Sequence, residues 1–405
     1  MYTNRTIAPD TLYVGASDRR LSQFENLFPI PRGVSYNSYL IVDEKTVLLD
    51  TADKAVCEHY YENVSAGLQG RPLDYLVIDH MEPDHAATLG EALRRWPNLQ
   101  LVVNAKTLPL LQSYYPAYAA SACGALVVKE GDALCLGRHT LRFLMAPMVH
   151  WPEVMMTFDE ATGMLFSADA FGTFGALCGT IFADELDFAR DWLDDARRYY
   201  ANIVGKYGAP VQAVLKKAAA LDIRGLAPLH GPIWRRDVGW FIEKYRRWSL
   251  CQPEEQAVVI CYGSMYGNTE NAAETLAVAL AERGVRKLAV YDVSVTDKSV
   301  LIAEAFRASH LVLASPTYNG GLYLPMAALL EDMQALGLHD RTFALVENGS
   351  WAPQAGKLMT ERVQALKNAT LLPGTVTVRG AVHTAEAERL AALADAIVAS
   401  LHAAG

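Results

Sequence analysis

From residue 257 to its end the chain alternates short apolar runs with amphipathic ones, unbroken. Strands are predicted at 257–263, 287–292, 310–315, 342–346 and 375–379. Helices are predicted between and after them, at 269–283, 298–307, 325–336, 356–366 and 385–403. Five βα units in about 150 residues leave little choice of fold: a doubly wound parallel sheet with helices on both faces.

The first 250 residues read differently. Residues 36–50 form a hairpin pattern around Asp43-Glu44-Lys45. Strands are expected at 73–79, 99–103, 140–146, 154–158, 164–167 and 224–228, and helices at 87–96, 187–204 and 210–220. Hairpins mixed with flanking helices predict an α/β sandwich. The short polar stretch 249–256 contains a proline and directly precedes a new apolar strand, so domains are expected over 1–250 and 256–405.

Net charge is −9, which argues against nucleic acid and anionic membranes as partners. No apolar run is long enough to cross a bilayer, and residues 1–10 lack a signal-peptide pattern, so a cytoplasmic protein is expected. The cysteines, Cys57, Cys123, Cys135, Cys178, Cys251 and Cys261, are scattered without a CxxC pair. Reduced thiols are therefore expected, with no cysteine-ligated redox centre.

Chemistry concentrates first at His80-Met81-Glu82-Pro83-Asp84-His85, just after the strand at 73–79. Histidines and carboxylates so close together on a loop can converge on two metal ions and suit iron, manganese or zinc. His150, Asp169 and His230 each follow another predicted strand. Metal-ligand residue types repeated at strand ends describe a site on one rim of a sheet. An ordinary polar loop would not repeat in this way.

This set resembles the HxHxDH signature of the metallo-β-lactamase-like fold, with Glu82 where zinc hydrolases have histidine. HxExDH is the pattern of the flavodiiron proteins. A carboxylate donates more strongly than imidazole and stabilises a ferric state that zinc does not have. The resemblance implies two iron ions. One would be held by His80, Glu82 and His150, the other by Asp84, His85 and His230, with Asp169 bridging; the loop could leave His85 turned away.

The second concentration is Gly263-Ser264-Met265-Tyr266-Gly267-Asn268-Thr269, between a strand and a helix. Small and hydroxyl residues there can cradle a phosphate at the helix N-terminus. The loop resembles the flavodoxin phosphate loop, and two later loops resemble those that clasp the flavin ring: Pro316-Thr317-Tyr318-Asn319-Gly320 and Asn348-Gly349-Ser350-Trp351. The implied cofactor is FMN, with Tyr318 or Trp351 against its ring.

The resemblance covers essentially the whole chain. It implies an α/β protein with an N-terminal metallo-β-lactamase-like αββα sandwich and a C-terminal flavodoxin-like sheet. The implied activity is reduction of dioxygen to water or nitric oxide to nitrous oxide, with electrons passing through FMN to the diiron centre. Rubredoxin, another small donor or a reduced deazaflavin would supply them. The family also implies a head-to-tail homodimer or a dimer of dimers. The rival reading is a zinc-dependent hydrolase fused to a flavodoxin, against which Glu82 stands. Trp151 is expected to wall the metal pocket, and one of Tyr199 and Tyr200 to reach it, since adjacent helical residues point about 100° apart. Residues 234–248 carry Arg235, Arg236, Lys244, Arg246 and Arg247, read as an outer face packed on its surroundings or as a docking patch for an acidic donor.

Overall fold

The computed structural model describes residues 3–118 and 124–403. They divide into two compact units, 1–200 with 209–246 and 201–208 with 247–405.

The first unit contains two larger sheets. A seven-stranded sheet runs Arg5–Ala8, Thr11–Tyr13, Tyr39–Val42, Thr46–Leu49, Tyr75–Val77, Gln100–Asn104 and Leu126–Val128. A five-stranded sheet runs Ala133–Cys135, Thr140–Met145, Met155–Asp159, Met164–Phe166 and Gly225–Ala227. The hairpin predicted at 36–50 is present, with Tyr39 opposite Leu49 and Val42 opposite Thr46. Strand Tyr75–Val77 lies parallel to both neighbours; Leu76 and Val77 are wholly buried, as a central strand covered on both faces requires. The crossover before it is helix Cys57–Leu68, which stops where Gln69 turns left-handed. The sheets meet through large side chains: the Tyr39 and Phe166 rings lie 5.2 Å apart, and Tyr39 Oη donates to Pro228 O at 2.6 Å.

Two expected elements differ. The helix predicted at 187–204 is split into Phe188–Asp191, Leu193–Tyr199 and a π turn at Tyr200–Val204. The helix predicted from 87 is preceded by a separate short one, Pro83–Ala86, which carries Asp84 and His85; Pro83 fits its first turn because no intrahelical donor is needed there.

In the second unit the strands run Leu288–Asp292, Glu255–Tyr262, Ala308–Tyr318 and Thr342–Asn348, then Thr370–Leu371 and Val376–Val378 on the outer side of Thr342–Asn348. These pairings are parallel. In sequence order this is 2-1-3-4-5, the flavodoxin-like winding. Helices Asn268–Glu282 and Thr384–Ala403 bury Leu276, Leu280, Leu390 and Ile397 against Ile260, Val312 and Val346 on one face. No helix among the described residues is long and apolar enough to cross a membrane. Cys57, Cys135, Cys178, Cys251 and Cys261 are free thiols, and Cys123 lies outside the described residues.

Candidate dimetal centre and flavin pocket

The four segments carrying the predicted metal residues end on one rim of the first unit. His80 to His85 follow strand Tyr75–Val77, His150 follows Thr140–Met145, Asp169 follows Met164–Phe166 and His230 follows Gly225–Ala227. Two donor groups result: His80, Glu82, His150 and Asp169, and beside them Asp84, His85 and His230.

Asp169 faces both. Its Oδ2 lies 3.4 Å from His80 Nε2 and 3.1 Å from His150 Nε2, while its Oδ1 lies 3.2 Å from His85 Nε2 and 3.6 Å from His230 Nε2. Glu82 Oε2 is 3.1 Å from both His80 Nε2 and His150 Nε2. Asp84 completes the second group, at 3.4 Å from His85 Nε2 and 3.3 Å from His230 Nε2. Donors on one ion, bonded at about 2.0–2.2 Å, sit about 2.8–3.6 Å apart. The spacings are those of ligands around metals. His85 is turned inward.

Hydrogen-bond accounting points the same way. Asp84 Oδ1 and Oδ2, His85 Nε2, Asp169 Oδ1 and His230 Nε2 are buried without a hydrogen-bond partner among the described residues. Leaving so many polar atoms unmet is costly unless a ligand meets them. Two metal ions fit this donor set.

Charge is tuned accordingly. Burial works to lower each imidazole's pKa, but the carboxylates outweigh it. Asp84 and Asp169 raise His85 to about 9, Asp169 and Glu82 raise His150 to about 9, and His80 is also raised well above its usual value. Burial pushes Glu82 and Asp169 up, yet the surrounding histidines hold both below the usual carboxylate range. The pocket is a negative well that draws protons when no metal competes.

Several supporting residues escaped the sequence reading. Glu153 Oε1 accepts from His80 Nδ1 and from Met81 N, both at 2.9 Å. His230 Nδ1 donates to Ser35 O at 2.7 Å. Asp50 Oδ1 accepts from the backbone of Asp79 and His80 at 3.0 and 3.1 Å, and Thr51 Oγ1 donates to His85 O at 2.6 Å. The Nδ1 contacts orient the His80 and His230 rings so that Nε2 faces inward, and the backbone contacts hold the segment that carries His80 and His85. Glu25, at a hairpin tip, brings another carboxyl beside Glu82; desolvation, then the Glu82 charge, push it up to about 8. Glu153 left one clue, a carboxylate three residues after His150; the others are long-range contacts without a local pattern.

Trp151 lies beside the pocket, its ring 5.4 Å from that of His80. Tyr199 and Tyr200 diverge as helical geometry demands. The Tyr199 ring is 5.6 Å from His230, whereas Tyr200 packs 4.7 Å from Tyr245. Burial, then the charges of Asp169, Asp84 and Glu82, keep the Tyr199 phenol protonated. Its hydroxyl has no hydrogen-bond partner among the described residues.

Within the second unit a cavity of about 400 Å³ is lined by Ser264, Met265, Tyr266, Asn268, Thr269, Pro316, Thr317, Tyr318, Asn319, Gly320, Asn348, Gly349, Ser350, Trp351 and Gly380. Gly267 does not line it but takes a left-handed φ of 87° at the start of helix Asn268–Glu282, and Ser264 Oγ accepts its N–H at 3.1 Å. That turn aims the helix's free N–H groups at the cavity, a fit for phosphate. Two aromatic rims are open: Tyr266 is 91% and Trp351 73% exposed. Gly380 was missed, although it follows the last strand at the carboxyl edge where ligands bind. Asn348 holds it in place, donating to Gly380 O at 2.9 Å and accepting from Gly380 N at 3.0 Å. The cavity fits a flavin mononucleotide, and no lysine or arginine lines it.

The basic segment forms helix Val238–Ser249 and the turn before it. Arg235 and Arg236 reach Asp184 at 3.1 and 3.8 Å, Arg246 reaches Glu243 at 2.7 Å, and Lys244 lies over Trp240. These local pairings favour the packing role over a free cationic patch.

Fold and site together define an oxidoreductase with a dinuclear metal unit and a flavodoxin-like unit. Residues 34–231 match the ODP family beta lactamase, and residues 260–392 match the flavodoxin family. The chain is 32% identical to a nitric oxide reductase of Moorella thermoacetica, over 88% of each chain. It is 30% identical to an anaerobic nitric oxide reductase flavorubredoxin of Escherichia coli, over 87% of this chain and 73% of that one. Its fold matches the rubredoxin oxygen:oxidoreductase of Desulfovibrio gigas with a TM-score of 0.91 and 26% identity, over 99% of both chains. The chain belongs to the flavodiiron protein family, oxidoreductases that carry FMN and a diiron centre.

Proposed function

We propose that this flavodiiron protein reduces a diatomic gas, dioxygen to water or nitric oxide to nitrous oxide, with electrons from a separate donor such as rubredoxin. The observation that supports it is the pair of donor groups sharing Asp169, one of which contains Glu82. Zinc has no redox chemistry to gain from a carboxylate there, whereas iron does.

In this reading His80, Glu82 and His150 would hold one iron and Asp84, His85 and His230 the other, with Asp169 facing both donor groups. When bound, FMN supplies one- and two-electron exchange and the iron pair supplies gas binding and electron delivery. The chain's residues do the rest. Glu153 and Ser35 fix the orientations of His80 and His230. Trp151 shields one side of the pocket. The Tyr199 hydroxyl, protonated and otherwise unmet, donates to what binds beside His230. Ser264 to Thr269 cradle the FMN phosphate, and residues 316–320 and 348–351 hold the ring. The working units are 1–250 and 256–405, and the protein acts in the cytoplasm as a head-to-tail homodimer or a dimer of such dimers.

The test is anaerobic stopped-flow oxidation of the reduced, iron-loaded protein by each gas in turn, alongside metal analysis. Rapid reoxidation by one gas, with about two irons per chain, is expected. Protein that retains zinc and reacts with neither gas would return the hydrolase reading.

A further inference from the structure

A short file of rings leads from the metal pocket to the surface of the first unit. The Trp151 ring stands perpendicular to that of His80 at 5.4 Å and lies 6.4 Å from that of His150. Tyr114 stacks on Trp151 at 6.1 Å with 26° between the planes. Tyr114 closes helix Thr107–Tyr114 and is 46% exposed. One end of the file touches two candidate ligand imidazoles, and the other meets water.

We propose that Trp151 and Tyr114 form a one-electron relay that drains oxidising equivalents from the metal pair to solvent. This rests on the gas-reducing function proposed above. Indole and phenol are oxidised within the reach of dioxygen chemistry, but neither is reduced at flavin potentials. The file is therefore a resting place for holes and not for incoming electrons. Packing alone would be served as well by phenylalanine at either position.

The relay acts when dioxygen reaches a metal pair with too few electrons in store to complete its reduction. One electron leaves the Tyr114 phenol, whose proton passes to bulk water. The electron travels through Trp151 and the His80 imidazole, and the metal pair is reduced by one electron. The neutral tyrosyl left at the surface takes one electron and one proton from a small reductant of the thiol or ascorbate class, which restores tyrosine.

The test uses the holoenzyme with its irons reduced and its FMN oxidised, mixed with dioxygen and freeze-quenched for electron paramagnetic resonance. The expected result is an organic radical whose signal narrows when the protein carries ring-deuterated tyrosine. Tyr114→Phe should replace it with a signal that narrows on tryptophan deuteration, and Trp151→Phe should abolish both. Tyr114→Phe should also consume dioxygen at the initial wild-type rate yet lose activity several-fold sooner over repeated turnover. Oxygen atoms should then appear on peptides bearing the metal ligands. Oxidation of the irons with no organic radical, or a radical indifferent to both labels and both substitutions, overturns the relay while leaving the gas chemistry standing. Irons that dioxygen does not oxidise would overturn the relay together with the dioxygen-reducing reading.

Discussion

Glu153 shows how much of the metal centre is decided one residue behind the ligands. Its carboxylate accepts the Nδ1–H of His80 and leaves Nε2 free to point into the candidate metal site. Glu153→Gln keeps the shape and removes the charge. About 10–100-fold weaker metal retention is expected, as for other partners of metal-bound histidines. Chelator competition followed by metal analysis measures it, and undiminished retention would show that Glu153 does not position His80. At this scale the sequence was legible for the candidate ligands, which the structure brings together, because His80 to His85, His150, Asp169 and His230 are chemically distinctive and each follows an apolar strand. It was silent on Ser35, whose carbonyl accepts from the His230 ring, and on Asp50, whose carboxylate accepts the backbone N–H of His80, both across long stretches of chain.

At the scale of elements, strand Ala308–Tyr318 ties the flavin loop to a buried titratable group. His310 sits between Ser309 Oγ at 2.8 Å and Ser400 Oγ at 2.9 Å, and burial lowers its pKa from 6.5 to about 4. The folded unit therefore binds this proton less well than the unfolded chain. Its contribution to stability is complete above pH 6.5 and declines as pH falls from there towards 4. In the full chain, the urea midpoint for FMN release should fall between pH 7.5 and pH 5, and His310→Gln should flatten that fall. An equal fall in the variant would assign the effect to other groups. The predicted elements of this unit were readable to within a few residues, since their strands centre on apolar runs and their helices follow turns, whereas the two-residue strand Thr370–Leu371 was too short to be read. The N-terminal strands Arg5–Ala8 and Thr11–Tyr13 were not read, being too short to show a period. The 187–204 segment was read as one helix because its apolar spacing continues through a π turn that only tertiary packing explains.

For the molecule as a whole, the proposed head-to-tail dimer makes a quantitative demand. Chains with His150→Ala and chains with Gly267→Val should each be inactive alone, one at the metal and one at the phosphate turn. In a random mixture half the dimers are hybrids with one working flavin–metal pair, so about a quarter of wild-type activity should return. No recovery in verified hybrids would mean that each chain uses its own flavin. A last consequence follows from the flavin cavity being lined without lysine or arginine. A phosphate held by backbone N–H groups and neutral side chains, on a chain of net charge −9, has no cation of its own whose attraction dilute buffer would strengthen. Raising the ionic strength screens only the repulsion between the cofactor and the rest of the protein. FMN should hold as tightly in concentrated salt as in dilute buffer, or more so, and a dissociation constant that rose steeply with salt would reveal a cation reaching in from elsewhere.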